Sequence, residues 1–199
     1  MLFLGYEALL MTQLNELKKK LRPGRVYRRS DLAQWSKAVD RHLEQLVAEG
    51  KLQKLSQGLY YFPRTSAFGM TPPDDDALVR TFLKDDRFLL TSPNAYNSLG
   101  VGTTQLYNKR TVYNHKRHGE FKLGNRKFYF HRRYDFPNKL TPEFLLVDLV
   151  NNISDLAEDQ NEIMKKVADK VQAMDSKKMS RAITAYGNVR TKKLLQPLL

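Results

Sequence analysis

The sequence contains no cysteine, which removes disulfides, thiolate metal sites and a cysteine nucleophile together and fits a reducing compartment. No apolar run approaches the roughly 20 residues that a membrane helix requires, so no membrane partner is expected. The apolar opening Met1-Leu2-Phe3-Leu4 has no basic flank and is broken by Gly5 and Glu7. It does not read as a signal peptide, and a cytoplasmic location is expected. Glycine loops that cradle phosphates are also missing. Gly100 and Gly102 are followed by no further glycine at loop spacing, and Ser92 lacks the glycine elbow of a hydrolase nucleophile. No catalytic residue and no cofactor are therefore expected, and the chain is not read as an enzyme.

Acidic residues are the scarcer charge. Twenty-one Asp and Glu face 34 Lys and Arg, a net charge of +13, and such a surplus attracts polyanions. The surplus is blocky: residues 1–63 carry +5, 106–133 carry +8 and 165–199 carry +7, while 140–164 carry −6. Apolar residues make up 41% of the chain, enough for packed cores, and 199 residues suffice for two small domains.

Leu10, Leu14, Leu17 and Leu21 recur at helical spacing and predict a first helix from about Tyr6, stopped by Arg22-Pro23-Gly24. Translation from either Met1 or Met11 fits this stripe, which is almost complete without the residues before Met11. Ser30 is placed to cap a short helix Asp31–Trp35, and Ser36 to cap a longer one, Lys37–Glu49, closed by Gly50. Lys51–Leu55, the turn Ser56-Gln57-Gly58 and Leu59–Phe62 then read as a β-hairpin. Helices followed by such a hairpin form the winged variant of the helix-turn-helix.

Residues 64–73, with Gly69 and Pro72-Pro73, read as a linker. Beyond it the pattern predicts a helix near Asp74–Lys84, strands near Arg87–Thr91, Arg110–His115 and Lys127–Arg133, a short helix after Pro93, and helices from Thr141 onward. The expected fold class is α+β. A winged helix-turn-helix domain over 1–63 precedes a mixed α/β domain over 74–199 with a helical C-terminus.

On Lys37–Glu49, Val39, Leu43, Leu46 and Val47 share one arc and should face the core. The opposite arc offers Lys37, Arg41 and Gln45, flanked by Ala38 and His42: long donors beside a small residue, suited to a major groove. Arg28 and Arg29 before the short helix, and Lys51, Lys54 and Gln57 around the hairpin, complete the expected DNA-binding set, the cations placed for backbone phosphates.

In the second half, Arg110, Lys116, Arg117, Lys127, Arg132 and Arg133 make a candidate basic patch. The aromatics Tyr107, Tyr113, Phe128, Tyr129 and Phe130 are interleaved with it, with Phe128 and Phe130 expected inward and Tyr129 outward. Two metal readings are weighed and set aside. Asp74-Asp75-Asp76 falls in the first turn of a helix, where acids cap it and oppose its dipole. His115, His118 and His131 lie among cations that repel a divalent ion. Phe144–Ile153 reads as a buried helix, with Asp148 solvent-facing or hydrogen-bonded.

The run from Ala38 to Leu52, followed by Gly58-Leu59-Tyr60-Tyr61 and Pro63, resembles the start of AbiEi-type antitoxins. The resemblance continues through Leu90–Tyr96, Gly102–Leu106 and Val112–His115, covering about Val26 to Asn152. It implies an antitoxin that represses its own operon by binding inverted repeats in double-stranded promoter DNA. It also implies a second domain that counteracts a nucleotidyltransferase-like toxin without necessarily gripping it. The alternatives are a stand-alone winged-helix regulator whose second domain senses a ligand or oligomerises, and a nucleic-acid-processing enzyme that uses the basic patch.

Overall fold

The computed structural model describes the backbone from Leu2 to Leu199 and side chains from residue 11 onward. It is mixed α and β, in two compact units: Met1–Asp86 with Lys122–Arg126, and Arg87–Phe121 with Lys127–Leu199. Among the described residues, no helix is long and apolar enough to cross a membrane.

The first unit opens with α1 (Leu2–Lys20). Leu14, Leu17 and Leu21 of the predicted stripe are buried, while the Leu10 side chain lies outside the described residues. Strand β1 (Arg25–Arg28) follows, then α2 (Arg29–Leu32), which runs into a 3₁₀ turn, Ala33–Trp35. Ser30 does not cap α2; its Oγ bonds Asp31 Oδ1 at 3.2 Å, and Arg28 occupies the cap position without a side-chain bond. Helix α3 spans Val39–Ala48, two residues later than predicted, with Ala38 at its N-cap. Ser36 is not its cap because its hydroxyl is buried against His42 Nδ1 at 2.7 Å. The other end is as expected. Gly50 at φ +69° lets Gly50 N reach Val47 O at 3.0 Å and Lys51 N reach Leu46 O at 2.9 Å, satisfying two terminal carbonyls.

Strands β2 (Gln53–Ser56) and β3 (Leu59–Phe62) form the predicted hairpin, and β1 adds to it in the order β1-β3-β2. Leu14, Leu17, Leu32, Leu43, Leu46 and Leu52 are buried in the shared core. The stretch read as a linker is instead an antiparallel hairpin, β4 (Arg64–Ser66) and β5 (Gly69–Thr71). The first unit also continues past the expected boundary through α4 (Asp75–Leu83), which packs against β1. The three acids of α4 are each employed. Asp74 Oδ1 caps Ala77 N at 2.9 Å, Asp76 pairs with Arg80 at 2.7 Å, and Asp75 pairs with Arg126.

The second unit contains a four-stranded sheet in the order β6-β7-β9-β8, from β6 (Phe88–Thr91), β7 (Arg110–Asn114), β8 (Gly119–Leu123) and β9 (Arg126–Arg132). The turn between β8 and β9 and the strand residues beside it, Lys122–Arg126, belong to the first unit. Strand β7 pairs antiparallel with β6 and parallel with β9. The predicted short helix is a 3₁₀ segment, Pro93–Leu99. Helix α5 (Pro142–Asn151), capped by Thr141, buries every residue from Phe144 to Val150. It packs with α7 (Ser176–Tyr186) and α8 (Val189–Leu195), and α6 (Gln160–Gln172) supplies Ile163, Val167 and Val171 to the same core.

Candidate nucleic-acid interface

The 3.6-residue repeat of α3 sorts its side chains sharply. Val39, His42, Leu43 and Leu46 are buried, Val47 is half-buried, and Asp40, Arg41, Glu44, Gln45, Ala48 and Glu49 face water. Arg41 is exposed and has no hydrogen-bond or ion-pair partner among the described residues. Lys37, just before the helix, is exposed too, its backbone N–H donating to Gln13 Oε1 at 3.2 Å. Gln45 Nε2 donates to Glu49 Oε1 at 2.9 Å, and Glu49 pairs with Lys18 at 3.0 Å. This chain of contacts steadies Gln45 without covering it.

A groove of about 570 Å³ runs between α3 and the β2–β3 hairpin, lined on the helix side by Asp40, Leu43, Glu44 and Val47 and on the hairpin side by Lys54, Gln57 and Tyr60. Lys54 and Gln57 are exposed there. Arg29 sits at its rim and forms a two-point pair with Asp40, Nε to Oδ1 at 2.7 Å and Nη2 to Oδ2 at 2.6 Å. That pair raises the Arg29 pKa and lowers that of Asp40, chiefly through the hydrogen bond itself. The acids Asp40 and Glu44 on the groove edge were absent from the expected set, although their spacing of four placed them on one face.

Four expected contacts are wholly or partly withdrawn from the surface. His42 is buried, because Ser36 receives it in the core, and burial lowers its pKa. Arg28 turns away from α3 to α4, where Nε donates to Thr81 O and Nη2 to Phe82 O at 2.7 Å. It thereby satisfies carbonyls at the end of that helix. Lys51 is half-buried, with Nζ 5.9 Å from the Phe62 ring centre. Ala38 is half-buried at the N-cap.

The basic patch of the second unit divides. Lys127 pairs with Glu120 at 2.9 Å. Arg133 lies 4.4 Å from the Tyr113 ring centre and 3.7 Å from Asp148 Oδ1. Arg110 stands opposite Phe128 at the start of parallel strands whose far end pairs Asn114 with Arg132, about 13 Å away at strand rise. Lys116, Arg117 and Arg132 remain exposed at that far end. There the buried Asn114 Oδ1 accepts from Lys116 N at 2.9 Å and Arg117 N at 2.6 Å. Phe128 and Phe130 are buried and Tyr129 half-buried. The histidines do not converge on one point: His118 stacks edge-on to His131, while His115 lies on Phe136.

Asp148 is fully buried. It accepts from Tyr96 Oη at 2.8 Å, Tyr113 Oη at 2.7 Å and Asn152 Nδ2 at 3.2 Å. Burial raises its pKa against these bonds, and burial likewise raises both phenols. The arrangement is a hydrogen-bonded core network.

The fold is thus a two-unit α+β arrangement whose first unit exposes one amphipathic helix beside a hairpin. Residues 13–185 match the model of the family described as "Family of unknown function (DUF6088)", and the chain belongs to that family. No curated protein matches it. Among solved structures, the crystal structure of the RV2827C protein from Mycobacterium tuberculosis is similar, with a TM-score of 0.56 and 18% identity over 93% of this chain and 75% of that one. That likeness concerns the fold.

Proposed function

We propose that the chain is a DNA-binding autoregulator and antitoxin, whose first unit acts as a winged helix-turn-helix on duplex promoter DNA. The observation that carries the reading is the outer edge of α3. Arg41 and Gln45 lie along it and Lys37 just before it, solvent-facing, while Leu43 and Leu46 anchor the opposite side. Arg41 is a long donor, unpaired among the described residues, of the kind that reads base edges. In this reading Lys54 and Gln57, on the hairpin side of the groove beside α3, form the wing that meets backbone phosphates. Asp40 does not repel the duplex at full strength because Arg29 neutralises it.

The antitoxin half of the reading comes from the resemblance to AbiEi-type antitoxins, in which the second unit would counteract a nucleotidyltransferase-like toxin. Co-expression with the adjacent gene tests it. Residues 64–199 do not match a compact unit, so the test uses the full chain. Wild type and Arg41→Ala should both relieve growth arrest caused by the neighbouring product, while only wild type represses a promoter reporter. Failure of both chains to relieve arrest removes the antitoxin role, and equal repression by both removes α3 from the DNA.

A further inference from the structure

The reading above leaves the β4–β5 hairpin unused. Its residues are exposed except for the half-buried Thr71, and a two-stranded ribbon on its own is marginal in water. This ribbon is nevertheless fixed at both ends. At its base Tyr61 Oη donates to Thr71 O at 3.0 Å and Arg64 Nε to Pro23 O at 3.3 Å. At its tip Ser66 Oγ donates to Gly69 O at 2.9 Å and accepts from Phe68 N at 3.2 Å. Gly69, at φ +100°, takes a backbone conformation that residues with side chains rarely adopt. The supported turn holds Phe68 at 101% relative exposure, and Met70, two residues on, is 59% exposed. This built support separates Phe68 from an apolar residue scattered singly on a surface.

Its neighbours select the partner. Gln53 Nε2 lies 3.7 Å from Met70 Sδ, and Met70 lines a groove with Lys54. Through Met70 the hairpin therefore meets β2, the strand whose Lys54 belongs to the surface proposed to face DNA. From Arg64 to Pro73 there is no acidic residue. An apolar tip on a ribbon with Arg64 at its base and Lys54 across the groove from Met70 suits a duplex, where the cations hold phosphates and the ring enters the base stack from the minor groove. We infer that Phe68 is a wedge that inserts at one base step, unstacking it and bending the duplex while α3 occupies the adjoining major groove. The inference rests on the proposed duplex binding by α3.

The test uses the full chain and duplexes that tile the DNA upstream of its own coding sequence, each with 2-aminopurine at a different position. Wild type should raise 2-aminopurine emission at a single step within the bound duplex. Phe68→Ala should abolish the rise and weaken binding about tenfold, the scale of one lost base contact, and Phe68→Leu should retain part of both. Circular dichroism should be unchanged, because the ring is wholly in water. An emission rise that survives in Phe68→Ala, or its absence when wild type is bound, overturns the wedge and leaves duplex binding standing. So does a shift of Phe68→Ala in sedimentation with unaltered emission, which would assign the tip to a second copy of the chain. Absence of binding to any tiled duplex overturns the wedge and the α3 reading together.

Discussion

Replacing Asp148 should reveal how much of the second unit depends on its one buried carboxylate. In Asp148→Ala the Tyr96 and Tyr113 hydroxyls, donating at 2.8 and 2.7 Å, lose their acceptor inside the core, at about 1–3 kcal/mol each. Arg133, at 3.7 Å, loses its partner but reaches water. With the cavity left behind, the total is about 3–5 kcal/mol, read by urea unfolding followed by far-ultraviolet circular dichroism. Asp148→Asn keeps one acceptor and should cost less. Its cost should also depend on pH. Burial raises the Asp148 pKa, so the folded chain holds this proton after the unfolded chain has released it near pH ~3.9. Wild-type stability therefore falls as pH rises from there to the raised value, then levels off. Asp148→Asn lacks that fall and should be most damaging in acid and least at neutral pH. A cost below about 1 kcal/mol for the alanine variant, or an asparagine variant worse at neutral pH than in acid, would refute the reasoning.

His42 has a pKa lowered by burial, so the first unit should lose stability as pH falls below ~6.5 towards that lowered value. Trp35 packs against the first core, so its fluorescence follows the loss, and His42→Leu should flatten the dependence. Arg28→Ala removes two bonds to the last turn of α4 and should destabilise the first unit by about 1.5–3 kcal/mol without changing the salt dependence of DNA binding; a reduced salt slope would return Arg28 to the interface. Asp40→Ala frees Arg29 and removes an acid from the groove edge, so duplex affinity in an anisotropy titration should rise about threefold; a fall would place Asp40 in contact with a base.

Much of the first unit was legible because its signals are local. The leucines of α1 and α3 repeat within one helix, and Gly50 marks the end of α3 by itself. What escaped depended on partners distant in sequence. Arg28 meets Thr81 and Phe82, more than 50 residues on, and nothing near Arg28 announces them. His42 sits at the margin of the apolar arc, where the wheel alone does not decide, and the hydroxyl of Ser36 draws it inward. Residues 64–73 have a linker's composition, yet Gly69 and the bond from Tyr61 to Thr71 make a hairpin of them. Strand β8 was not predicted, although Glu120 and Lys122 alternate with Phe121 and Leu123 as in a half-buried strand. Lys127 and Arg133 looked free in the sequence, since the fold alone supplies Glu120 and Asp148.

The central claim, that the outer edge of α3 meets duplex DNA, is tested most directly by titrating wild type and Arg41→Ala against the upstream duplex and a scrambled one across a range of salt. Wild type should prefer the upstream duplex, and Arg41→Ala should lose about 1–3 kcal/mol. A loss confined to that duplex marks a base contact, and an equal loss on both, with a salt slope shallower by about one, marks a phosphate contact. Identical binding curves for the two chains on both duplexes would contradict the account.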